Sequence, residues 1–366
     1  MKLLAPIPGP LLPNPFPGMA WLEAQLGHPI VARLGANEAW PLGDGQLRDA
    51  CEQLAPMWPE LLRQYPDPSA AGLRQRLAQS WHADPEQLLI DAGADSLLLL
   101  ALRTACSQQQ PVITSAGTYP TLAYFAAGLG LPLVEVPYAL SAQGRHTDLD
   151  GLHAAAWLHK AGLVYLADPD NPTGSTHPFE RLEAFAKALP PSCLLLLDEA
   201  YADFAAEPRK AQAMPGVIRV RSFSKSLGLA GLRLGCMIAE TPLLEVARFR
   251  RIHYSVSGLS QALLSHLLDS PLAHQIRSRT LLERERLRSQ LLARGLEAWP
   301  SATNFVTVRC TSSDSASALQ RRLWQQQIAI HRPAHPAMAD VLRITVQPQA
   351  FDESLLDALQ AHSRLD

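Results

Sequence analysis

The sequence predicts an α/β fold: a large domain built on a mostly parallel sheet flanked by helices, followed by a smaller α+β domain toward the C-terminus. Two observations carry this expectation. Through the middle of the chain, short apolar runs alternate with stretches of helical period, and the runs end in polar residues, as parallel strands with functional groups at their carboxyl ends do. After about residue 245 the texture changes to a long charged amphipathic stretch among scattered strand candidates. The expected division is an N-terminal arm over 1–36, a large domain over 37–245 and a small domain over 246–366.

Taken in order, "MKLLAPIPGPLLPNPFPG" is interrupted by proline before any useful apolar length is reached, so it reads as an extended arm and not as a signal peptide. "LLIDAGADSLLLLALRTAC" passes from a strand through a glycine turn into a helix, and "PVITSAGTYPTLAYFAAGLG" repeats that order. "SAQGRHTDLDGLHAAAWLHK" reads as a loop and a helix. "AGLVYLADPDNPTG", "SCLLLLDEAYADF" and "GVIRVRSFSKS" are three buried runs with polar ends. Beyond them, "RTLLERERLRSQLLARGLEAW" predicts a charged amphipathic helix stopping near Gly295. "NFVTVRC", "QIAIHRP" and "VLRITVQP" predict strands, and a helix is expected from Asp352 to His362.

At 366 residues and 47% hydrophobic content the chain is long enough for two domains. A formal charge of -2 gives no basic footprint for nucleic acid, and no run is long enough to span a bilayer. Five scattered cysteines without CxxC spacing suggest neither a disulfide framework nor a metal site and fit the cytoplasm. The expected partner is a small molecule.

Four polar clusters at strand ends carry chemistry. Lys225, in "SFSKSLG", is one of five lysines in a chain that otherwise uses arginine. A lysine desolvated beside other cations has a lowered pKa and can form a Schiff base with an aldehyde. A Ser222 to Lys225 S-x-x-K reading finds neither S-D-N nor K-T-G elsewhere. Asp198 closes an apolar run, where it is either a helix cap or the partner of a buried cation such as a protonated pyridine nitrogen. Tyr201 follows three residues later. In "DPDNPTG" a rigid turn would hold the Asn171 amide still as a donor. Finally, Gly93, Ala94 and Asp95 open a helix whose amides can meet a phosphate, with Ser222, Ser224 and Arg233 adding hydroxyls and a fork-shaped cation. Gly228 and Gly231 would let the backbone bring Arg233 back to the same anion. An amine, an acid for a ring nitrogen, donors for a ring oxygen and a phosphate cradle together are what pyridoxal 5'-phosphate requires.

At this point the sequence resembles the fold-type-I pyridoxal-phosphate enzymes, specifically the class I and II aminotransferases close to histidinol-phosphate aminotransferase. The likeness runs from about Ala36 to the C-terminus through "GANEAWPLG", "RQYPDP", "DAGADS", "GTYPTLAYFA", "DNPTG", "LLLLDEAYADF", "SFSKSLGLAGLRLG" and "VLRITV". It implies that Lys225 carries the cofactor as a Schiff base, that Asp198 pairs the pyridine nitrogen, and that Asn171 and Tyr201 flank the ring oxygen. Tyr119 would stack on the ring, and Gly93, Ala94, Asp95, Ser222, Ser224 and Arg233 would hold the phosphate. Tyr65 would reach the phosphate of a neighbouring subunit, so the resemblance implies a homodimer. For the substrates, an amino acid and a 2-oxo acid, it implies Arg343 as the carboxylate grip with Asn37 nearby, and Arg332 and Tyr254 as further substrate-binding residues. Histidinol-phosphate aminotransferases use an arginine near "AIHRP" for the substrate phosphate, where either His331 or Arg332 stands here. "RRIHYSVSGLSQ" is closer to the related threonine-phosphate decarboxylases, which makes decarboxylation the alternative to ping-pong transamination.

Overall fold

Apolar runs of four to six residues form the strands of one central sheet, because a run buried on both faces needs no polar side. The computed structural model describes residues 12–16, 18–42, 45–106 and 110–363, so residues 1–11 and 17 of the expected arm lie outside it. In chain order the strands are β1 (Ala32–Arg33), β2 (Leu88–Asp91), β3 (Val112–Ser115), β4 (Leu133–Val136), β5 (Ala139–Ser141), β6 (Gly144–His146) and β7 (Leu163–Ala167). They continue as β8 (Leu194–Asp198), β9 (Val217–Ser222), β10 (Gly235–Ile238), β11 (Glu297–Ala298), β12 (Phe305–Arg309), β13 (Ile328–Ala329) and β14 (Val341–Thr345).

The seven-stranded sheet has the order β2-β10-β9-β8-β7-β3-β4. β10 is antiparallel to β2 and β9, while the other pairings are parallel. Alternate residues face opposite cores. On one side Tyr165, Leu196, Ile218 and Val220 pack with Leu97, Leu98 and Leu102 of the helix Gly93–Ala105. On the other, Val164, Leu166, Leu195, Leu197 and Val217 meet Leu152 and Ala156 of the helix Leu149–Leu158 and Leu182 and Phe185 of the helix Phe179–Ala188. The parallel register sets Ala167 beside Asp198 and Asp198 beside Val220, so the polar ends of β7, β8 and β9 share one edge. Gly235 opens β10 against that edge. A Cβ there would stand 2.9 Å from the Gly93 carbonyl carbon and 3.0 Å from the Ala94 nitrogen, so the approach requires glycine.

Past the sheet, β11, β12 and β14 form a three-stranded antiparallel sheet with its own core of Val306, Val308, Leu342 and Ile344 under Leu287 and Leu291. The helix over these leucines spans Leu272–Ala293, beginning earlier than the charge pattern suggests, and ends before Gly295 at φ +80°. Its buried face includes Glu283, which is tied to Arg279 at 2.9 Å and to Arg286 at 3.3 Å. The final helix runs Glu353–Ser363.

One expectation changes, and one expected strand pairs far along the chain. "SAQGRHTDLDGLHAAAWLHK" contains half of a hairpin, β5–β6, as well as the helix; three-residue strands are too short to show alternation. "QIAIHRP" supplies β13, whose ladder partner is β1 from the start of the chain and not the adjacent sheet. Among the described residues no helix is long and apolar enough to cross a membrane.

Leu98 is fully buried in the sheet-facing core. Leu98→Ala is expected to lower stability by about 2–5 kcal/mol, read as a lower urea midpoint at unchanged slope.

Candidate active site

The shared edge of β7, β8 and β9 opens into a cavity of about 280 Å³. Asp198, Asn171, Tyr201, Tyr119, Ala94, Asp95, Ser222, Ser224, Lys225, Arg233, Asn37 and Arg343 all line it, so most of the residues singled out in the sequence meet in one place.

Asp198 ends β8 and is 5% exposed. Its Oδ2 accepts from the Tyr165 hydroxyl at 2.9 Å and its Oδ1 from the Ala200 amide at 3.0 Å. Burial raises its pKa to about 6; these two bonds oppose the rise, and the charges of Asp95 and Glu199 add to it. No cation pairs with it among the described residues, so a positive group brought to this carboxylate would be held there.

Lys225 sits in the short helix Phe223–Ser226 directly after β9. Its Nζ donates to the Ala36 carbonyl at 3.1 Å and the Asn37 carbonyl at 2.9 Å. Burial, and then the charges of Arg343 and Arg233, lower its pKa to about 8 against the opposing pull of Glu38. A substantial neutral fraction of a normally cationic amine follows.

Arg343 lies in the middle of β14, only 3% exposed, and is no rim charge. Nη1 donates to Asn171 Oδ1 at 2.5 Å, Nη2 donates to the Gly35 carbonyl at 2.5 Å, and Cζ lies 5.1 Å from the Phe305 ring centroid. Its Nε is buried without a partner, and among the described residues no carboxylate pairs with the guanidinium. A buried cation so placed is a receptor for an anion. The Asn171 oxygen is therefore committed to Arg343, which leaves the amide nitrogen as the donor that the turn was expected to present. Asn37, at φ +53°, donates from Nδ2 to the Tyr201 hydroxyl at 2.7 Å and accepts at Oδ1 from the Thr345 hydroxyl at 3.1 Å.

At the other end of the cavity the helix Gly93–Ala105 begins without a side-chain cap, leaving its first amides open. Gly93 has φ +84°, and a Cβ there would stand 2.8 Å from Arg233 Nη2. Arg233 thus overhangs the helix start, 4.0 Å from the Asp95 carboxylate. Gly228 and Arg233 itself carry the positive φ of the preceding turn, whereas Gly231 does not. The Tyr119 hydroxyl donates to Asp95 Oδ1 at 2.9 Å.

Three expected residues stand elsewhere. Tyr65 is 84% exposed and packs on Tyr254, ring centroids 4.8 Å apart, and neither lines the cavity of its own chain. Arg332 donates to Gln320 Oε1 at 3.3 Å and the Ala339 carbonyl at 3.4 Å, outside the cavity lining.

Sequence reasoning missed Phe16 and Tyr165, and it missed a buried charge cluster behind the site. Glu199 receives Arg219 through Nε at 3.0 Å and Nη2 at 2.9 Å, with Arg221 at 3.4 Å and Arg209 at 3.5 Å. Arg209 also donates to the Asp168 carbonyl at 2.6 Å and to the Asp168 carboxylate. Burial pushes the Glu199 pKa up, but the three guanidiniums outweigh it and hold the carboxyl at about 2. The signal was present: Arg219 and Arg221 alternate with valines in "VIRVRS", which places both on one face of a buried strand.

Because the folded pKa of Glu199 lies below its ordinary 4.5, its stabilisation is present at neutral pH and is lost as pH falls from the ordinary carboxylate range through about 2. Glu199→Gln is expected to cost about 3–5 kcal/mol near pH 7 and to flatten the acid limb of stability against pH, measured by urea denaturation at several pH values.

The family model for Aminotransferase class I and II matches residues 33–361. The chain is 33% identical over 307 residues to a histidinol-phosphate aminotransferase of Xanthomonas campestris pv. campestris, covering 81% of this chain and 84% of that protein. It is 38% identical, with a TM-score of 0.83, to the structure of histidinol-phosphate aminotransferase from Sinorhizobium meliloti in complex with pyridoxal-5'-phosphate, covering 95% and 94% of the two chains. The L-threonine-O-3-phosphate decarboxylase of Porphyromonas gingivalis, at 18% identity and TM-score 0.75, shares the fold. With an amine, an uncompensated buried acid, an open helix start and an unpaired arginine around one cavity, the chain belongs to the class I and II aminotransferases, as a pyridoxal-phosphate-dependent transaminase similar to histidinol-phosphate aminotransferases.

Proposed function

We propose that the protein moves an amino group between an amino acid or amino-alcohol phosphate and a 2-oxo acid by a ping-pong mechanism, one substrate leaving before the next enters. The observation that carries this reading is the meeting, in one cavity, of the Lys225 amine with the buried Asp198 carboxyl, which has no cation beside it among the described residues. The residues fit pyridoxal 5'-phosphate: Asp198 is buried without a positive partner among the described residues, the uncapped start of Gly93–Ala105 leaves amides open to an anion, and Arg233 packs against Gly93 at that same helix start.

When bound, the cofactor supplies an aldehyde that bonds amines and a ring that accepts the electron pair left at a substrate α-carbon. Lys225 is the amine that would attach covalently to it and, once freed, would take and return the α-proton; a pKa lowered to about 8 by burial suits it to both tasks. Asp198 would hold the proton of the ring nitrogen. Asn171 and the Tyr201 hydroxyl, itself held by Asn37, would serve the ring oxygen, and Tyr119 would pack on the ring. The Ala94 and Asp95 amides, the Ser222 and Ser224 hydroxyls and Arg233 would hold the phosphate. Arg343 grips the substrate carboxylate, with Nε still available.

We extend this reading to a cytoplasmic homodimer and to the division of the chain after residues 36 and 245. Leu62 and Tyr65 on one segment, and Phe249, Ile252 and Tyr254 on another, expose apolar surface side by side, joined by the Tyr65–Tyr254 contact. Exposed apolar surface of this kind marks a protein contact, and a second copy there would bring the partner subunit's Tyr65 toward this cavity.

Lys225→Ala is expected to abolish the visible absorbance of the cofactor-loaded protein and to lower turnover by at least a thousandfold; an undiminished yellow chromophore would sink the assignment. Carbon dioxide released without a 2-oxo acid present would instead mark a decarboxylase. Sedimentation should find a dimer, and Leu62→Glu combined with Ile252→Glu should shift it to monomer with loss of activity.

A further inference from the structure

Tyr165 is the one residue of β7 whose side chain carries a polar group, and it is fully buried. Its ring belongs to the core shared with Leu97, Leu196 and Ile218, between the sheet and the helix Gly93–Ala105. A phenylalanine would fill that space equally well, and a buried hydroxyl is costly unless it is bonded. The Tyr165 hydroxyl donates to Asp198 Oδ2 at 2.9 Å.

The register explains the reach. Ala167 of β7 stands opposite Asp198 of β8, and Tyr165 stands opposite Leu196, so Tyr165 and Asp198 are diagonal neighbours on one face of the sheet. Ala167 has no polar atom in its side chain, and the longer tyrosine supplies the donor that the opposite position lacks. The other carboxylate oxygen, Oδ1, accepts from the Ala200 amide at 3.0 Å. One donor on each oxygen fixes the plane of the carboxylate, because rotation about the Cβ–Cγ bond would break both.

The balance between anion and acid at Asp198 is close. Burial raises its pKa to about 6 even with both donors in place, and the charges of Asp95 and Glu199 push the same way. Burial and the Asp198 charge hold the Tyr165 hydroxyl well above its ordinary pKa, so it keeps its proton and donates it to the anion. Lys225, Arg233 and Arg343 line the same cavity but bond elsewhere: Lys225 to the Ala36 and Asn37 carbonyls, Arg233 to the Ala230 carbonyl, Arg343 to Asn171 and the Gly35 carbonyl. The Tyr119 hydroxyl is spent on Asp95, and that of Tyr201 accepts from Asn37. The anion at Asp198 therefore leans on two neutral donors, and Tyr165 is the one that a side-chain substitution can remove.

We propose that Tyr165 is a positioning residue for the cofactor: acting through Asp198, it presents an oriented anion to the ring nitrogen and so keeps the proton on that nitrogen and off the carboxylate. The proposal rests on the pyridoxal-phosphate transaminase reading and adds to it a residue buried behind the cavity wall. Without the hydroxyl, Oδ2 is a buried anionic oxygen with no fixed donor; Asp198 then takes the shared proton at Oδ2 and leaves the ring nitrogen without it.

The test uses the protein loaded with cofactor that carries an isotopic label on its ring nitrogen, whose magnetic resonance position separates the protonated form from the neutral one. Tyr165→Phe, which keeps the buried ring, should move that signal toward the neutral position. It should also raise the dissociation constant of the cofactor, read from visible absorbance across a dilution series, by about tenfold to a hundredfold. In an Asp198→Ala background the same Tyr165→Phe change should alter that constant by less than about twofold, since its partner is gone. A Tyr165→Phe protein whose nitrogen signal stays at the wild-type position would overturn the proposal, and so would an equal loss of affinity in both backgrounds, which marks packing alone. If Asp198→Ala by itself leaves the nitrogen signal in place, Asp198 is not the partner of the ring, and that distinct result removes the reading on which the proposal stands and the proposal with it.

Discussion

One carboxylate, that of Glu199, joins three strand ends into a platform. It takes a two-pronged contact from Arg219 and single contacts from Arg221 and Arg209, and Arg209 continues to Asp168 at the end of β7. A buried ion cluster is a poor source of net stability compared with apolar packing, but it fixes geometry, because each donor and acceptor has one satisfactory arrangement. The neighbours of these anchors line the cavity: Asp198 precedes Glu199, Asn171 follows Asp168 in the same turn, and Ser222, Ser224 and Lys225 follow Arg221. A one-residue slip of β9 against β8 would turn both arginines to the opposite face and carry the lysine helix with them.

Charge is distributed unevenly within the cavity. Among the described residues neither Asp198 nor Arg343 has a counter-ion, although the two line one cavity. Each has its charge partly answered by neutral donors or acceptors: Tyr165 and the Ala200 amide for Asp198, Asn171 and the Gly35 carbonyl for Arg343. Positive charge brought to Asp198 and negative charge brought to Arg343 would answer both, as the proposed pyridinium and substrate carboxylate would.

Most of the sheet and much of the site were legible in the sequence, for a common reason. A parallel strand is a continuous apolar run, and its functional residues come at the carboxyl end, so "LLLLDEAY" and "VRSFSKS" announce strand and site together. The hairpin β5–β6 was hidden because strands of three residues carry no period. Phe16 was hidden because nothing in a proline-rich stretch says where it docks, and the choice between His331 and Arg332 was not legible because adjacent residues of an extended chain point to opposite sides. The buried arginines were visible as a pattern but easily taken for surface charge, since burial of a guanidinium depends on a partner that is about twenty residues away.

The amine of Lys225 is held by carbonyls of Ala36 and Asn37, Asn37 is held by Thr345, and β1 finds its ladder partner in β13. Segments about three hundred residues apart in the chain thus close the cavity against each other. Contacts of that span carry a large loop-closure entropy and form late. In order of synthesis every strand from β2 to β10 precedes β14. The residues proposed for the cofactor, Lys225 and the serines and helix start around it, are thus all made before Arg343, the residue proposed for the substrate.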